Sequence, residues 1–305
     1  MILTRRMMTG GLAAALGVAA LARPGRLRAQ ARLEAGGRQL EVLSDGHLVL
    51  PPDFVFAPMP SEAVAAIRAA HDLDAEALTP ECNVTLLRDG GRLVLFDAGA
   101  GAEFMPTTGR LAGALAEAGI DPAEVTDLVL THGHPDHLWG VLDDFGDPLF
   151  PNARHQMGRV ERDYWADPAT VEGIGEARAA FAVGAARRIE ALADRLETFE
   201  DGEEVAPGVV ARPTPGHTPG HMTFEVAMGD ETVTLMGDAI GNHHAAFLAP
   251  ALPQGSDQDM ERAAATRVAL LEALAASGAP LVGFHLPGGL GRVERDGEAF
   301  AFAPL

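Results

Sequence analysis

The sequence has no lysine. All 23 of its basic residues are arginine, set against 43 aspartates and glutamates, and the formal charge is −20. A chain this acidic lacks the basic footprint that nucleic-acid binding requires, and anionic lipid does not attract it. The missing lysine, beside so much alanine, glycine and arginine, reads as genomic composition bias rather than function. There is one cysteine, Cys82, so no intrachain disulfide can form. Nothing near Cys82 in the sequence supports a nucleophile, and a small buried residue is the expectation. The uncharged run Met7 to Ala22 is too short and too weakly hydrophobic for a comfortable membrane span. With 47% apolar residues over 305 positions, the chain can still bury a real core.

Residues 1–31 read as a cleaved export signal. Arg5-Arg6 precede the mild apolar run, and Ala29-Gln30-Ala31 offers an A-x-A cleavage site. The paired arginines resemble a bacterial twin-arginine signal. The flanking Thr4-Arg5-Arg6-Met7-Met8 lacks part of the fuller consensus, which leaves general secretion as the alternative. The expected mature chain starts near Arg32 and is periplasmic or secreted.

No linker divides residues 32–305, which read as a single domain. Ser44-Asp45-Gly46 between apolar runs predicts one hairpin, and Asp89-Gly90-Gly91 predicts another. Gly109–Ala118, Glu172–Leu196 and Asp257–Ser277 predict helices. Asp127–Leu130, Val209–Ala211, Thr223–Ala227, Thr232–Met236, Leu281–Phe284 and Phe300–Ala303 predict strands. Strand pairs followed by alternating strands and helices, twice over, predict an α/β fold of mixed sheets covered by helices.

The chemistry concentrates in Thr131-His132-Gly133-His134-Pro135-Asp136-His137, directly after a buried strand. His132 and His134, two apart in an extended segment, point the same way. Three imidazoles and a carboxylate within six residues is the density of a metal site. Donors without thiolate suit zinc, and also iron or manganese. One loop cannot close two coordination shells, and three strand ends offer further donors: His217 in a Pro/Gly-rich loop, Asp238 and His285. Taken singly, each would pass for a structural polar residue; the ordered set carries the reading.

That order, H-x-H-x-D-H and then His, Asp and His, resembles the metallo-β-lactamase superfamily over most of residues 38–304. The resemblance implies an αβ/βα four-layer sandwich of two mixed sheets, with its site at one sheet edge. It implies two divalent metal ions, zinc being expected. His132, His134 and His217 would hold one, Asp136, His137 and His285 the other, with Asp238 bridging. No ligand position is missing. Four softer stretches are similar to exported methyl parathion hydrolase-like enzymes: Glu41 to Gly46, Leu95 to Gly99, Phe150 to Ala153, and Phe284-His285-Leu286-Pro287-Gly288 through to Phe302-Ala303-Pro304. Those enzymes cleave phosphotriesters, aryl esters and lactones.

A hydroxide bridging two ions would then be the nucleophile, and Asp136 the residue to pass its proton to the leaving group. Asp97 and His221 are expected to orient ligands, with a purely structural role equally open. Phe104, Trp139, Trp165, Phe181 and Phe247 are candidates for an aromatic pocket wall, the first four most of all, although core packing explains each one singly. Tyr164, the only tyrosine, lies outside the local context of the carbonyl-facing tyrosine in quorum-signal lactonases. His243 and His244 are expected to be solvent-exposed loop residues. The partner is a small-molecule substrate, with a homodimer left open. The rival readings are a β-lactamase, a glyoxalase II-like thioester hydrolase and a mononuclear iron oxygenase. The last of these often leaves its second site incomplete, and here all seven positions are filled.

Overall fold

The computed structural model describes residues 30–73 and 76–305, so the expected export signal lies outside the described residues except for Gln30 and Ala31. Two seven-stranded sheets form the centre. The first runs in chain order: β1 (Ala31–Ala35), β2 (Arg38–His47), β3 (Glu81–Asp89), β4 (Arg92–Phe96), β5 (Asp127–Leu130), β6 (Arg154–Gly158) and β7 (Leu196–Phe199). The second also follows the chain: β8 (Glu204–Ala206), β9 (Val209–Pro213), β10 (Met222–Met228), β11 (Glu231–Leu235), β12 (Leu281–Val282), β13 (Leu290–Asp296) and β14 (Ala299–Pro304). In the first sheet β1 to β4 pair antiparallel and β4 to β7 parallel. In the second only β11 and β12 are parallel.

The helices are α1 (Asp53–Phe56), α2 (Ser61–His71), α3 (Leu111–Glu117), α4 (Pro135–Leu138), α5 (Arg159–Ala166), α6 (Pro168–Gly173), α7 (Ala179–Ala191), α8 (His243–Leu248) and α9 (Met260–Ser277). Leu40, Val42 and Phe96 of the first sheet meet Phe224, Val226 and Val233 of the second in the central core. The outer face of the first sheet packs on α3 and α7 through Leu86, Leu128, Leu115 and Ala185. The outer face of the second packs on α9 through Leu281, Leu271 and Leu274. Sheets buried on both faces explain the near-continuous apolar runs of their central strands. The result is the four-layer αβ/βα sandwich. Among the described residues no helix is long and apolar enough to cross a membrane.

Two secondary-structure expectations fail here, those over Ser44-Asp45-Gly46 and Glu172–Leu196. Ser44-Asp45-Gly46 does not turn a hairpin. It is a β-bulge inside one long strand, with the register shifting between Ser44 and Gly46 against β3. The bulge turns the buried Asp45 carboxylate towards the loop after β4, where it accepts from the amides of Ala100, Gly109 and Leu111 at 2.8–3.1 Å. Gly46 adopts φ +105°, and a Cβ there would meet the Thr107 carbonyl oxygen at 2.1 Å. The long helix over Glu172–Leu196 is also broken. Gly175, at φ +91°, separates α6 from a 3₁₀ turn at Glu176–Arg178 and from α7, and Leu196 already opens β7.

Candidate metal centre

The chemistry-bearing residues gather where strands stop. Thr131 to His137 follows β5, the 214–221 loop follows β9, Asp238 follows β11 and His285 follows β12. Pro135 explains the local shape. The residue before a proline is driven to extended backbone, and His134 has ψ 158°. Proline itself is favoured at a first helical position, so α4 starts there and turns Asp136 and His137 back towards the same point. Gly133 is required by close approach, since a Cβ would meet the Trp165 ring at 2.4 Å. Gly237, at φ +48°, sets the turn into Asp238 against His221.

Two donor groups result. One is His132, His134, His217 and Asp238; the other is His137, Asp238 and His285. His134 Nδ1 lies 2.9 Å from both His132 Nε2 and His217 Nε2. Asp238 links the groups, with Oδ1 3.3 Å from His137 Nε2 and Oδ2 3.2 Å from His217 Nε2 and 3.3 Å from His285 Nε2. Asp136 Oδ2 is 3.2 Å from His285 Nε2 and 3.5 Å from His137 Nε2.

The outward-facing atoms fix the rings. His137 Nδ1 donates to Asp97 at 2.8 Å, and His285 Nδ1 donates to the Glu81 carbonyl at 2.6 Å. Thr131 hydroxyl bonds to the Asp97 carboxylate and lies 3.0 Å from His132 Nδ1. His217 Nδ1 lies 3.0 Å from Asp257. His221 is in neither donor group: its Nε2 accepts the Asp238 amide at 2.9 Å and its Nδ1 meets Thr214 hydroxyl at 2.8 Å. Asp97 and His221 therefore touch ligand-bearing residues and hold them in place.

The electrostatics fit bound cations. Burial pushes the carboxyls of Asp136 and Asp238 up, but neighbouring imidazoles outweigh it and hold both below the ordinary carboxylate range. Against their own burial, His137 is raised to about 10 and His217 to about 9, chiefly by Asp238, and His285 is raised as well. Burial and the neighbouring histidines keep His132 and His134 neutral. The carboxylates thus draw in positive charge that divalent ions would supply. Asp136 Oδ2, His137 Nε2 and Asp238 Oδ1 are buried without hydrogen-bond partners, as ligand atoms would be. Imidazole and carboxylate donors, each ring oriented from behind, suit zinc-class ions.

Three groups lie outside what the local sequence shows. Buried Glu161 accepts from the Gly133 amide at 2.9 Å, the Gly220 amide at 2.9 Å and Thr218 hydroxyl at 2.8 Å, and Trp165 Nε1 also donates to it. It ties both histidine loops together. Asp257 passes as one more acid ahead of α9, where Asp259 is the actual helix cap. Cys82 sits among Asp136 and His285, but burial pushes its thiol up to about 12, so it stays protonated.

A cavity of about 230 Å³ opens beside the donors and is walled by Leu48, Val49, Leu50, Phe104, Met105 and Phe181, with Arg178 also on its wall. Of the aromatic candidates, Phe104 and Phe181 line it. Trp165 is fully buried, its ring 5.6 Å from that of His134. Trp139 lies behind Phe104 with Arg188 stacked over it at 4.4 Å. Phe247 is in the core under α9. Tyr164 donates to Gln258 at 2.6 Å, and the Gln258 amide reaches His134 Nε2 at 3.4 Å. His243 and His244 are half-buried in α8, contrary to the expected exposed loop.

Fold and donor set define a metal-dependent hydrolase. A profile described as the metallo-beta-lactamase superfamily matches residues 79–279, and the chain belongs to that superfamily. An uncharacterized protein of Mycobacterium tuberculosis is 30% identical over 204 residues, covering 64% of this chain and 82% of its own length. The N-acyl homoserine lactonase AttM of Agrobacterium fabrum is 31% identical over 121 residues, 39% of this chain and 42% of AttM. The crystal structure of the hydrolase AbOPH is 27% identical, with a TM-score of 0.84 over 92% of this chain and 98% of that one. AidC, a dizinc quorum-quenching lactonase, shares the fold at a TM-score of 0.84 and 24% identity, over 90% of this chain and 97% of AidC.

Proposed function

We propose that this chain is a two-metal hydrolase of neutral, apolar lactones and esters, exported after removal of residues 1–31, with phosphotriesters as a second substrate class. The carrying observation is the pair of donor groups that share Asp238. His132, His134 and His217 would hold one divalent ion and Asp136, His137 and His285 the other, zinc being the assignment. Such ions polarise a carbonyl or phosphoryl oxygen and make water acidic enough to attack near neutral pH. Asp136, at the cavity wall, takes the proton of the attacking water and delivers it to the departing alkoxide. An aryl leaving group departs as phenolate and needs that proton less. Leu48, Val49, Phe104 and Phe181 hold an apolar acyl or aryl group. Similarity to AttM favours the lactone. The similar methyl parathion hydrolase-like stretches keep the phosphotriester as the second reading.

The test compares kcat/KM of the zinc-loaded mature enzyme for an aryl lactone and an aryl phosphotriester. Preference for the lactone supports the leading reading and preference for the phosphotriester supports the second. Turnover of neither, in protein holding two zinc ions, overturns the substrate class.

A further inference from the structure

Three histidines that take no part in the seven-residue centre meet beyond His285. His71 is the last residue of α2, and His243 and His244 are the first two of α8. Their ring centroids are 5.3 Å apart for His71 and His243, 4.7 Å for His71 and His244, and 5.0 Å for His243 and His244. One nitrogen of each lies within 4.8 Å of the other two. Nε2 of His71 and Nδ1 of His244 are buried with no hydrogen-bond partner. A polar nitrogen withdrawn from water without a partner costs free energy, and a shared ligand removes that cost at both nitrogens together. His243 and His244 line a cavity of about 300 Å³ with Asp72 and His285, so an ion has a path to them.

We propose that His71, His243 and His244 form a further divalent-metal site, separate from the catalytic centre and selective for a zinc-class ion. Three imidazoles and no thiolate suit Zn²⁺, Cu²⁺ or Ni²⁺, and not the oxygen-seeking Mg²⁺ or Ca²⁺. Zinc bonds of about 2.0–2.1 Å would draw the nitrogens inward by about an ångström, a movement that side-chain rotation supplies. The fourth position falls to water, as the donor group holds three imidazoles and no carboxylate. Burial holds His243 and His244 down at about 4 and lowers His71 as well, so all three are in the neutral, ligating form at neutral pH.

The site would join α2 to α8. Ile67 of α2, Val55 of α1 and Ala245 of α8 share one small apolar cluster. Val55 and Asn242, the N-cap of α8, line the substrate cavity. An ion bound here therefore stiffens one wall of that cavity without touching the catalytic donors.

The experiment titrates zinc chloride into the zinc-loaded enzyme by calorimetry, with metal content measured after equilibrium dialysis. The expected result is one more equivalent in the wild type than in His71→Ala or His244→Ala, with turnover within about twofold in all three. A rise in wild-type Tm accompanies the extra equivalent and is absent from the variants, since an ion that binds only the native state stabilises it. A wild type that takes up no more zinc than the variants overturns the proposal. The difference is independent of how many ions the main centre holds, so failure of the two-metal reading would show separately, as fewer than two equivalents in every protein. Should an alanine variant also lose the main centre, the wild-type Tm decides: no rise on adding zinc beyond two equivalents refutes the site.

Discussion

His217 Nδ1 lies 3.0 Å from one oxygen of Asp257, and the other oxygen takes the guanidinium of buried Arg267. The three residues form a line from helix α9 to the metal centre. The carboxylate does two things at once: it fixes the His217 ring and raises its basicity, and it neutralises a cation that is 1% exposed. Asp257→Asn keeps the shape and removes the charge. Metal affinity should fall roughly 10- to 100-fold, the range for losing such an orienting partner. The unfolding midpoint should fall too, because Arg267 loses its counter-charge. Unchanged affinity in a competition with a chelator would show that Asp257 serves the fold alone.

Asp238 touches three of the donor histidines and belongs to both donor groups. Removing metal with a chelator should abolish turnover, and zinc should restore it. Asp238→Ala should lose both ions together, whereas His134→Ala should lose chiefly the ion it shares with His132 and His217. In both variants kcat should drop by at least about 10³ if, as proposed, the ions and not a protein nucleophile carry the chemistry. Metal content measured beside turnover checks this, and activity surviving in metal-free protein refutes it.

How much of this was legible in the sequence follows from chain distance. His132 to His137 could be read because the donors are contiguous and Pro135 sets their local geometry. Asp238 and His285 each end an apolar run and His217 sits in a Pro/Gly-rich loop beyond one, weaker signs that their order strengthened. Neither Glu161 nor Asp257 could be read: Glu161 acquires its role only when α5 packs against the loop after β5 and the 214–221 loop, and Asp257 only when the 214–221 loop meets α9. Ser44-Asp45-Gly46 has turn composition, and only the pairing of β2 with β3 makes it a bulge. Helix periodicity over Glu172–Leu196 was overridden by Gly175 and by the start of β7 at Leu196. His71, 172 positions from His243, carries no sequence sign of joining it.

Gly133 separates the first two histidines and lies against Trp165, where a Cβ would approach to 2.4 Å. Trp165 is fully buried and its indole nitrogen is held by Glu161, so the ring cannot simply move aside. Gly133→Ala should therefore destabilise the fold by about 1–3 kcal/mol, the range for overpacking. It should also weaken metal binding, because His132 and His134 move with the backbone. Gly113→Ala, the same substitution at an exposed position of α3, should stabilise or be neutral, since nothing lies within 4 Å of that position. Equal effects at the two sites in thermal melts would refute the packing account.

Arg178 faces the apolar cavity, donates to the Gly255 carbonyl at 2.6 Å and has its guanidinium 5.8 Å from the Phe54 ring. A guanidinium so placed favours substrates that carry a carbonyl or phosphoryl oxygen away from the scissile bond. Arg178→Met should raise KM about 5- to 20-fold for such substrates while leaving kcat nearly unchanged, the pattern of lost uniform binding. For an aryl acetate without that second oxygen, KM should barely move. A fall in kcat with KM constant would instead place Arg178 in the transition state.

His155 of β6 is fully buried, and burial, with the Arg195 cation adding to it, pushes its pKa down to about 4 from 6.5. The sign of the linkage is fixed by that direction. Between pH 6.5 and pH 4 the unfolded chain takes up a proton at this position and the folded chain does not. The stability contributed by neutral His155 is therefore complete above about pH 6.5 and is lost as pH falls towards 4. The size is on the order of 3 kcal/mol, since each tenfold difference in proton affinity between the folded and unfolded chain is worth about 1.4 kcal/mol. His155→Leu removes the titration but leaves the metal centre unaltered, so acid protonation of the metal ligands cancels between the two proteins. The stability of the wild type relative to the variant, from denaturant melts at pH 7, 6, 5 and 4, should decline steadily across that range. A constant difference would mean that His155 is hydrated or protonated in the folded protein and that its burial carries no acid penalty.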